Sequence, residues 1–220
     1  MLVKNWMSKD VISIDINDPI VNAVNLLRDH NIRTLPVLKD GKLSGIVTDR
    51  DLKRVTVPKN TNLESEEIIY LNTRTKVGEI MTKEPITVSP DFSVDEVARI
   101  MLEKKISGIP VVDEQGELVG IITQGDICSV LISLLGDDET RVQFALQVKD
   151  TPGSIKGLAD VIRGFKGRFS SMLTSYKDVP AGYRNVYIIA HNINRDEMEN
   201  INDELKKKAK ILYVIDYLKR

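Results

Sequence analysis

The sequence predicts an α+β fold: two copies of a β-α-β-β-α unit followed by a β-α-β-β-α-β unit. Three observations carry this prediction. The chain aligns with itself once, at an offset of 74 that becomes 75 past a single inserted residue, and such self-similarity sets domain count and fold together. Within each copy, short apolar runs bounded by turn residues alternate with apolar residues at helical spacing. Past Gly136-Asp137-Asp138-Glu139 the repeat stops and a differently ordered pattern begins.

In the self-alignment, Met7-Ser8-Lys9-Asp10-Val11-Ile12-Ser13-Ile14 matches Met81-Thr82-Lys83-Glu84-Pro85-Ile86-Thr87-Val88. Likewise Ile32-Arg33-Thr34-Leu35-Pro36-Val37 matches Ile106-Ser107-Gly108-Ile109-Pro110-Val111, and Gly41 to Asp51 matches Gly116 to Asp126. The inserted residue falls at a turn, where insertions are tolerated. Each copy opens on an apolar edge, Ile12–Ile14 or Ile86–Val88. In the first helix Asp18 is placed to cap, Pro19 suits the opening turn, and Ile20, Ala23, Val24 and Leu27 share a face. In the second copy Ser93 and Glu96 have capping-box spacing ahead of Val94, Val97, Ala98, Met101 and Leu102. Leu35–Leu38 and Ile109–Val112 read as strands that turn at Asp40-Gly41 and Gln115-Gly116 into Leu43–Thr48 and Leu118–Thr123.

The copies are thus expected over residues 1–57 and 77–135, with 58–76 as a linker in which Glu64–Leu71 reads as a short helix, and 136–140 as a second linker. Over 141–220, Val142, Phe144, Leu146 and Val148 alternate as a strand, and Pro152 opens a helix bearing Ile155, Leu158, Ala159 and Ile162. Strands follow at Phe169–Tyr176 and Val186–His191; Asn194 and Glu197 cap a helix bearing Met198, Ile201 and Leu205; Ile211–Ile215 closes the unit. This order predicts a ferredoxin-like split βαβ, an antiparallel sheet with both helices on one face.

The 220 residues are 42% hydrophobic and 29% charged, an ordinary globular composition. The longest apolar stretches, such as Ile127 to Leu135, fall short of the ~20 residues of a bilayer span. The N-terminus lacks the basic start and apolar run of a signal peptide, so a cytoplasmic location is expected. Charge is uneven, net −7 over residues 1–140 and +6 over 141–220. Lys206, Lys207, Lys208 and Lys210 suit a helix C-terminus, and 5% aromatic content offers little platform for nucleic acid. Cys128, the single cysteine, is expected to be a buried thiol. His30 and His191 have no partner spacing for metal or base chemistry, and no nucleophile-elbow, zinc-protease, Walker or dinucleotide motif occurs, so no catalytic residue is assigned.

The repeated Gly-apolar-apolar-Thr-x-x-Asp, at Gly45–Asp51 and Gly120–Asp126, places Thr48, Asp51, Thr123 and Asp126 at strand-to-helix junctions. Free amides and a hydroxyl at a helix N-terminus favour phosphate, and a carboxylate one turn on accepts the hydroxyls of a ribose. The same residues also suit plain helix capping, and the pattern alone leaves both readings open. Arg50, Lys53 and Arg54 surround the first motif, whereas Gln124-Gly125 and an apolar helix surround the second, so the first offers more charge for phosphate.

Over residues 1–135 these motifs, occurring twice in order, resemble a tandem CBS-domain pair, the Bateman module. The resemblance implies two sheet-on-sheet repeats with pseudo-twofold symmetry and clefts for an adenosine-containing ligand: AMP, ADP or ATP, with S-adenosylmethionine as the alternative. It implies ribose contacts at Asp51 and Asp126 and phosphate or ribose contacts at Thr48 and Thr123, to which the charge of Arg50 adds a candidate phosphate contact. Cleft walls would come from Ile12, Ser13, Ile14, Ile86, Thr87 and Val88, with Arg33 and Ser107 before the Pro-Val strands. Over residues 141–217 the chain resembles an ACT domain, which implies an amino-acid effector at the Asp150-Thr151-Pro152-Gly153 loop. The combination resembles the acetoin-utilisation AcuB group. It implies a stand-alone regulatory protein linked to small-carbon metabolism. Open edges on both modules lead to the expectation of a homodimer, with a regulated partner enzyme and with no catalysis, metal, nucleic acid or membrane.

Overall fold

The computed structural model describes residues 1–56, 73–136 and 139–219, so the expected helix at Glu64–Leu71 lies outside the described residues. The chain divides into two compact units, Met1–Cys128 and Ser129–Arg220. In the first unit, the first copy comprises β1 (Ile14–Asp15), α1 (Ile20–Asp29), β2 (Thr34–Lys39), β3 (Lys42–Thr48) and α2 (Asp49–Thr56). The second comprises α3 (Val77–Ile80), β4 (Thr82–Lys83), α4 (Val94–Lys104), β5 (Gly108–Val112), β6 (Leu118–Thr123) and α5 (Gln124–Leu135), the last helix crossing the division between units.

Helix α1 is the crossover between parallel β1 and β2, and β2 runs back antiparallel through β3. The turn between them, at Asp40 (φ 51°) and Gly41 (φ 79°), is left-handed at both centres, as the twist of a two-residue hairpin requires. Where the sequence gives the second copy an opening strand at Ile86–Val88, the structure holds a lone parallel pairing of Val88 with Val111. It is the counterpart of Ile14 with Val37, too short to propagate as a strand.

The two copies interlock. β4, which leads into the second copy, pairs with β3 of the first, Ile46 facing Thr82 and Gly45 facing Lys83. The equivalent segment of the first copy pairs with the second, Ser8 facing Ile121. Upstream the exchange repeats: Ile20 N–H donates to Thr75 O and Val77 N–H to Asp18 O, while Val94 N–H donates to Met1 O and Val3 N–H to Phe92 O. The core of the first copy accordingly contains Val77 and Met81 beside Ile20, Leu35, Val37 and Val47. Burying such a side chain contributes about 1.5–3 kcal/mol, and here that energy joins the copies.

Helix starts depart from the sequence reading. Pro19 is the cap of α1, without a side-chain bond, and Asp18 Oδ2 accepts instead from Asp15 N–H. Ser93 Oγ bonds the Glu96 carboxylate at 2.6 Å and not the backbone, so the pair is no capping box. Cys128 is exposed rather than buried. It stands two positions from Val130, the buried residue of α5, and so falls on another face of that helix.

In the second unit, β7 (Val142–Lys149), α6 (Ser154–Gly164), β8 (Arg168–Ser175), β9 (Tyr183–His191), α7 (Met198–Lys206) and β10 (Lys210–Asp216) form an antiparallel sheet of order β10-β7-β9-β8. Alternate residues Val142, Phe144, Leu146 and Val148 face Leu158 and Ile162 of α6 and Ile201 and Leu205 of α7, so both helices cover one face as the sequence order predicts. Helix α6 starts at Ser154, past Pro152, with Gly153 (φ 85°) at its cap; Asn194 caps the short 3-10 turn Arg195–Glu197 by accepting from Asp196 N–H. No helix among the described residues is long and apolar enough to cross a membrane.

The glycines of the repeated motif serve the interlock. A Cβ at Gly45 would collide with the Met81 side chain and lie 2.9 Å from Thr82 O, and one at Gly120 would collide with the Met7 side chain. Gly45→Ala is expected to cost ~1–3 kcal/mol, and Gly120→Ala less, because a flexible thioether yields where a backbone oxygen does not. Urea midpoints at constant m check the ranking.

Candidate functional site

Thr48 and Thr123 sit where β3 and β6 end and α2 and α5 begin. At the first junction Asp51 Oδ2 accepts from Thr48 N–H at 3.0 Å and from Thr48 Oγ1 at 2.6 Å, and Asp51 N–H returns to Thr48 Oγ1 at 3.4 Å. At the second, Asp126 Oδ2 accepts from Thr123 N–H and Oγ1, each at 2.7 Å, and Asp126 N–H returns at 3.4 Å. Each pair is a reciprocal cap on free helix-end amides. The capping reading of the motif is seen directly: Oδ2 is used by the cap, while among the described residues Oδ1 accepts no hydrogen bond.

Each junction opens into a cavity whose other walls come from the opposite copy. The Thr48 cleft, about 430 Å³, joins Thr48 and Asp51 to Thr82, Glu84 and Ile86 of the second copy and to the loop from Lys105 to Gly108. The Thr123 cleft, about 510 Å³, joins Thr123 and Asp126 to Ser8, Asp10 and Ile12 of the first copy and to Asn31 through Thr34. Most wall residues correspond under the sequence repeat, Ser8 with Thr82, Asp10 with Glu84 and Ile12 with Ile86 among them. Even the helix-ending residues Asn31 (φ 50°) and Lys105 (φ 56°) share the left-handed conformation and occupy equivalent places.

This crossing relocates several expected site residues. Arg33 belongs to the Thr123 cleft, and Ser107 lines both clefts. Arg50 lines the Thr48 cleft as expected, but Lys53 turns to Asp49 at 3.2 Å and is not in its wall. Ile12 and Ile86 are apolar walls. Their neighbours Ser13, Ile14, Thr87 and Val88 line neither cleft, and Ile14 and Val88, 4% and 5% exposed, point into the core by strand alternation. The sequence reading missed Asp10, Glu84, Asn31 and Lys105. The repeat alignment held the signal for the first two, which occupy matched positions next to Ile12 and Ile86.

In the second unit, the loop Asp150–Gly153 does not cap α6 through Asp150. Its carboxylate pairs with Arg184 at 3.3 Å, and Arg184 also donates to Ser154 Oγ at 3.0 Å. Thr151 and Ser154 line a cavity of about 700 Å³ with Lys149, Lys208 and Lys210, whereas Asp150, Pro152 and Gly153 are not in its wall. Lys206 and Lys207 bond Asp203 and Glu204 one turn back, and the Lys206 hydrogen bond and charge hold the Asp203 carboxyl below the usual carboxylate range. His191 Nδ1 lies 3.2 Å from Ser170 Oγ, and no group of metal-ligating side chains occurs among the described residues.

The CBS domain family model matches residues 3–63 and 77–133. Protein MJ1426 of Methanocaldococcus jannaschii is 32% identical over 155 residues, covering 60% of this chain and 92% of that protein. The crystal structure of CBSX2 of Arabidopsis thaliana in complex with AMP is 28% identical with a TM-score of 0.50, covering 60% of this chain and 96% of that one. A Vibrio cholerae structure described as an acetoin utilization protein (AcuB) is 29% identical with a TM-score of 0.52, covering 61% and 93%. With the family model matched twice in tandem over two interlocked copies, the chain belongs to the CBS-domain family.

Proposed function

We propose that the CBS pair is a regulatory sensor of an adenine nucleotide of the AMP, ADP or ATP class, bound in one or both clefts. The single observation that carries this reading is the duplicated cleft, in which a helix-capping carboxylate presents an unoccupied oxygen beside an apolar isoleucine wall and a cationic side chain. Oδ1 of Asp51 or Asp126 would accept the ribose hydroxyls, Ile86 or Ile12 would cover the base, and Arg50 or Arg33 would meet phosphate. The AMP complex of CBSX2 supports the ligand class. Because each cleft has walls from both copies, a ligand that favours one packing of the copies shifts the population toward it, and this differential affinity is what a regulator needs. The likeness to the Vibrio cholerae structure supports a place beside acetoin or small-carbon metabolism, through a partner enzyme. No observation favours the amino-acid effector over this reading, since Asp150, the carboxylate of that loop, is held by Arg184.

Thermal unfolding against AMP, ADP, ATP, S-adenosylmethionine and an amino-acid panel tests the proposal. An adenine nucleotide at 100 times its Kd is expected to stabilise the protein by ~2.7 kcal/mol. Asp51→Asn and Asp126→Asn keep the cap acceptor but replace the second carboxylate oxygen with a donor, so they are expected to fold normally and to weaken binding in their own cleft about tenfold. Stabilisation by S-adenosylmethionine alone moves the ligand within the adenosine class, and stabilisation by amino acids alone overturns the reading.

The assembled form is proposed to be a homodimer, supported by the apolar side chains that α5 leaves exposed, Leu131 at 52% and Ile132 at 58%. Light scattering at micromolar concentration is expected to give twice the chain mass of 24.7 kDa. Leu131→Glu with Ile132→Glu is expected to reduce it to a monomer.

A further inference from the structure

The two clefts are matched in shape but not in charge, and the difference lies in a third cavity between them. This groove, about 730 Å³, is lined on one side by Arg33, Arg50, Lys53 and Arg54 with Asp49, and on the other by Ser107 and Gln124. It is continuous with both clefts: Arg33, Ser107 and Gln124 also line the Thr123 cleft, while Arg50, Arg54, Ser107 and Gln124 also line the Thr48 cleft. Under the sequence repeat Arg33 corresponds to Ser107, Arg50 to Gly125, Lys53 to Cys128 and Arg54 to Ser129. Among the described residues the first copy therefore supplies all four cations of the groove and the second supplies none.

Lys53 is paired with Asp49 at 3.2 Å, but Arg33, Arg50 and Arg54 have no carboxylate partner among the described residues. Arg50 and Arg54 stand one helical turn apart on α2, where like charges repel. Three guanidinium groups with no carboxylate partner among the described residues, one from the loop before β2 and two from α2, share the groove lining with neutral Ser107 and Gln124 and suit an anion with several phosphoryl groups.

We propose that the groove is a polyphosphate subsite shared by both clefts, so that the chain takes two nucleoside monophosphates but one nucleoside triphosphate at a time. The nucleotide stoichiometry rests on the adenine-nucleotide reading above; the polyphosphate subsite does not. A monophosphate ends near the cleft mouth, next to Arg33 in one cleft and Arg50 in the other. A triphosphate from either cleft runs on into the same groove, and a second would place its charge against the first with no further cation in the groove's described lining to meet it; Lys105 lines the Thr48 cleft but not the groove. With a screening length of ~8 Å at physiological salt, charges within one groove still repel. The exclusion is thus electrostatic, and the asymmetry between the copies is what creates it.

Isothermal titration of the full chain without divalent cations, using AMP, ATP and inorganic tripolyphosphate, tests this. The expected result is two AMP per chain of similar affinity, and one ATP with any second ATP about tenfold weaker or more, a gap that narrows as salt is raised. Tripolyphosphate is expected to bind once per chain, equally in wild type and in Asp51→Asn/Asp126→Asn, and to be lost in Arg33→Gln/Arg50→Gln/Arg54→Gln. These three side chains are exposed, so the triple variant should keep the wild-type Tm. Two equal ATP equivalents, or tripolyphosphate binding that is absent or indifferent to the three arginines, overturns the shared subsite. If AMP and ATP fail to bind while tripolyphosphate binds in an arginine-dependent way, the groove stands as a polyphosphate site and the adenine-nucleotide reading falls.

Discussion

The CBS pair depends on the exchange of leading segments between its two copies. Met81 lies over Gly45 and Met7 lies over Gly120, each close enough that a methyl group could not intervene. Around each contact the backbone bonds cross in matched sets, Ile20 to Thr75 and Val94 to Met1 among them. A core such as that around Leu35 and Val37 is completed by Val77 and Met81 from the other copy. The core of the first copy is therefore not closed without side chains of the second.

The same exchange makes the clefts. A Thr-x-x-Asp junction by itself is a helix cap, and both junctions here satisfy that role with Asp Oδ2. The crossing of the chain sets the isoleucine and the helix-end loop of the opposite copy in the same cavity as each junction. One carboxylate thereby fixes the helix start and faces an open cavity. A change in how the copies pack must change the walls of both clefts, because each cleft is a joint between the copies.

Symmetry of the backbone and asymmetry of the charges divide the work. Duplicated turns, caps and left-handed residues hold two equivalent cavities, while substitution at Arg33, Arg50, Lys53 and Arg54 against Ser107, Gly125, Cys128 and Ser129 makes their common border one-sided. The C-terminal unit has its own core, from Val142 and Phe144 to Ile201 and Leu205, beneath an antiparallel sheet of four strands.

Local features of the fold were legible in the sequence because they rest on local physics. Alternation at Val142–Val148, helical spacing at Ile20–Leu27, the Asp40-Gly41 turn and the 74-residue repeat each follow from periods or dihedral preferences that neighbouring residues impose. Thr48, Asp51, Thr123 and Asp126 were legible as paired junctions for the same reason. The partners of those junctions were not, because contacts between residues far apart in sequence leave no periodic trace. Tertiary structure decided that Arg33 faces Thr123 rather than Thr48, that Ile14 and Val88 turn inward beside Ile12 and Ile86, and that Asp150 answers Arg184 rather than a helix end. It also decided why Gly45 and Gly120 are glycines: the packed chain puts a methionine side chain against each.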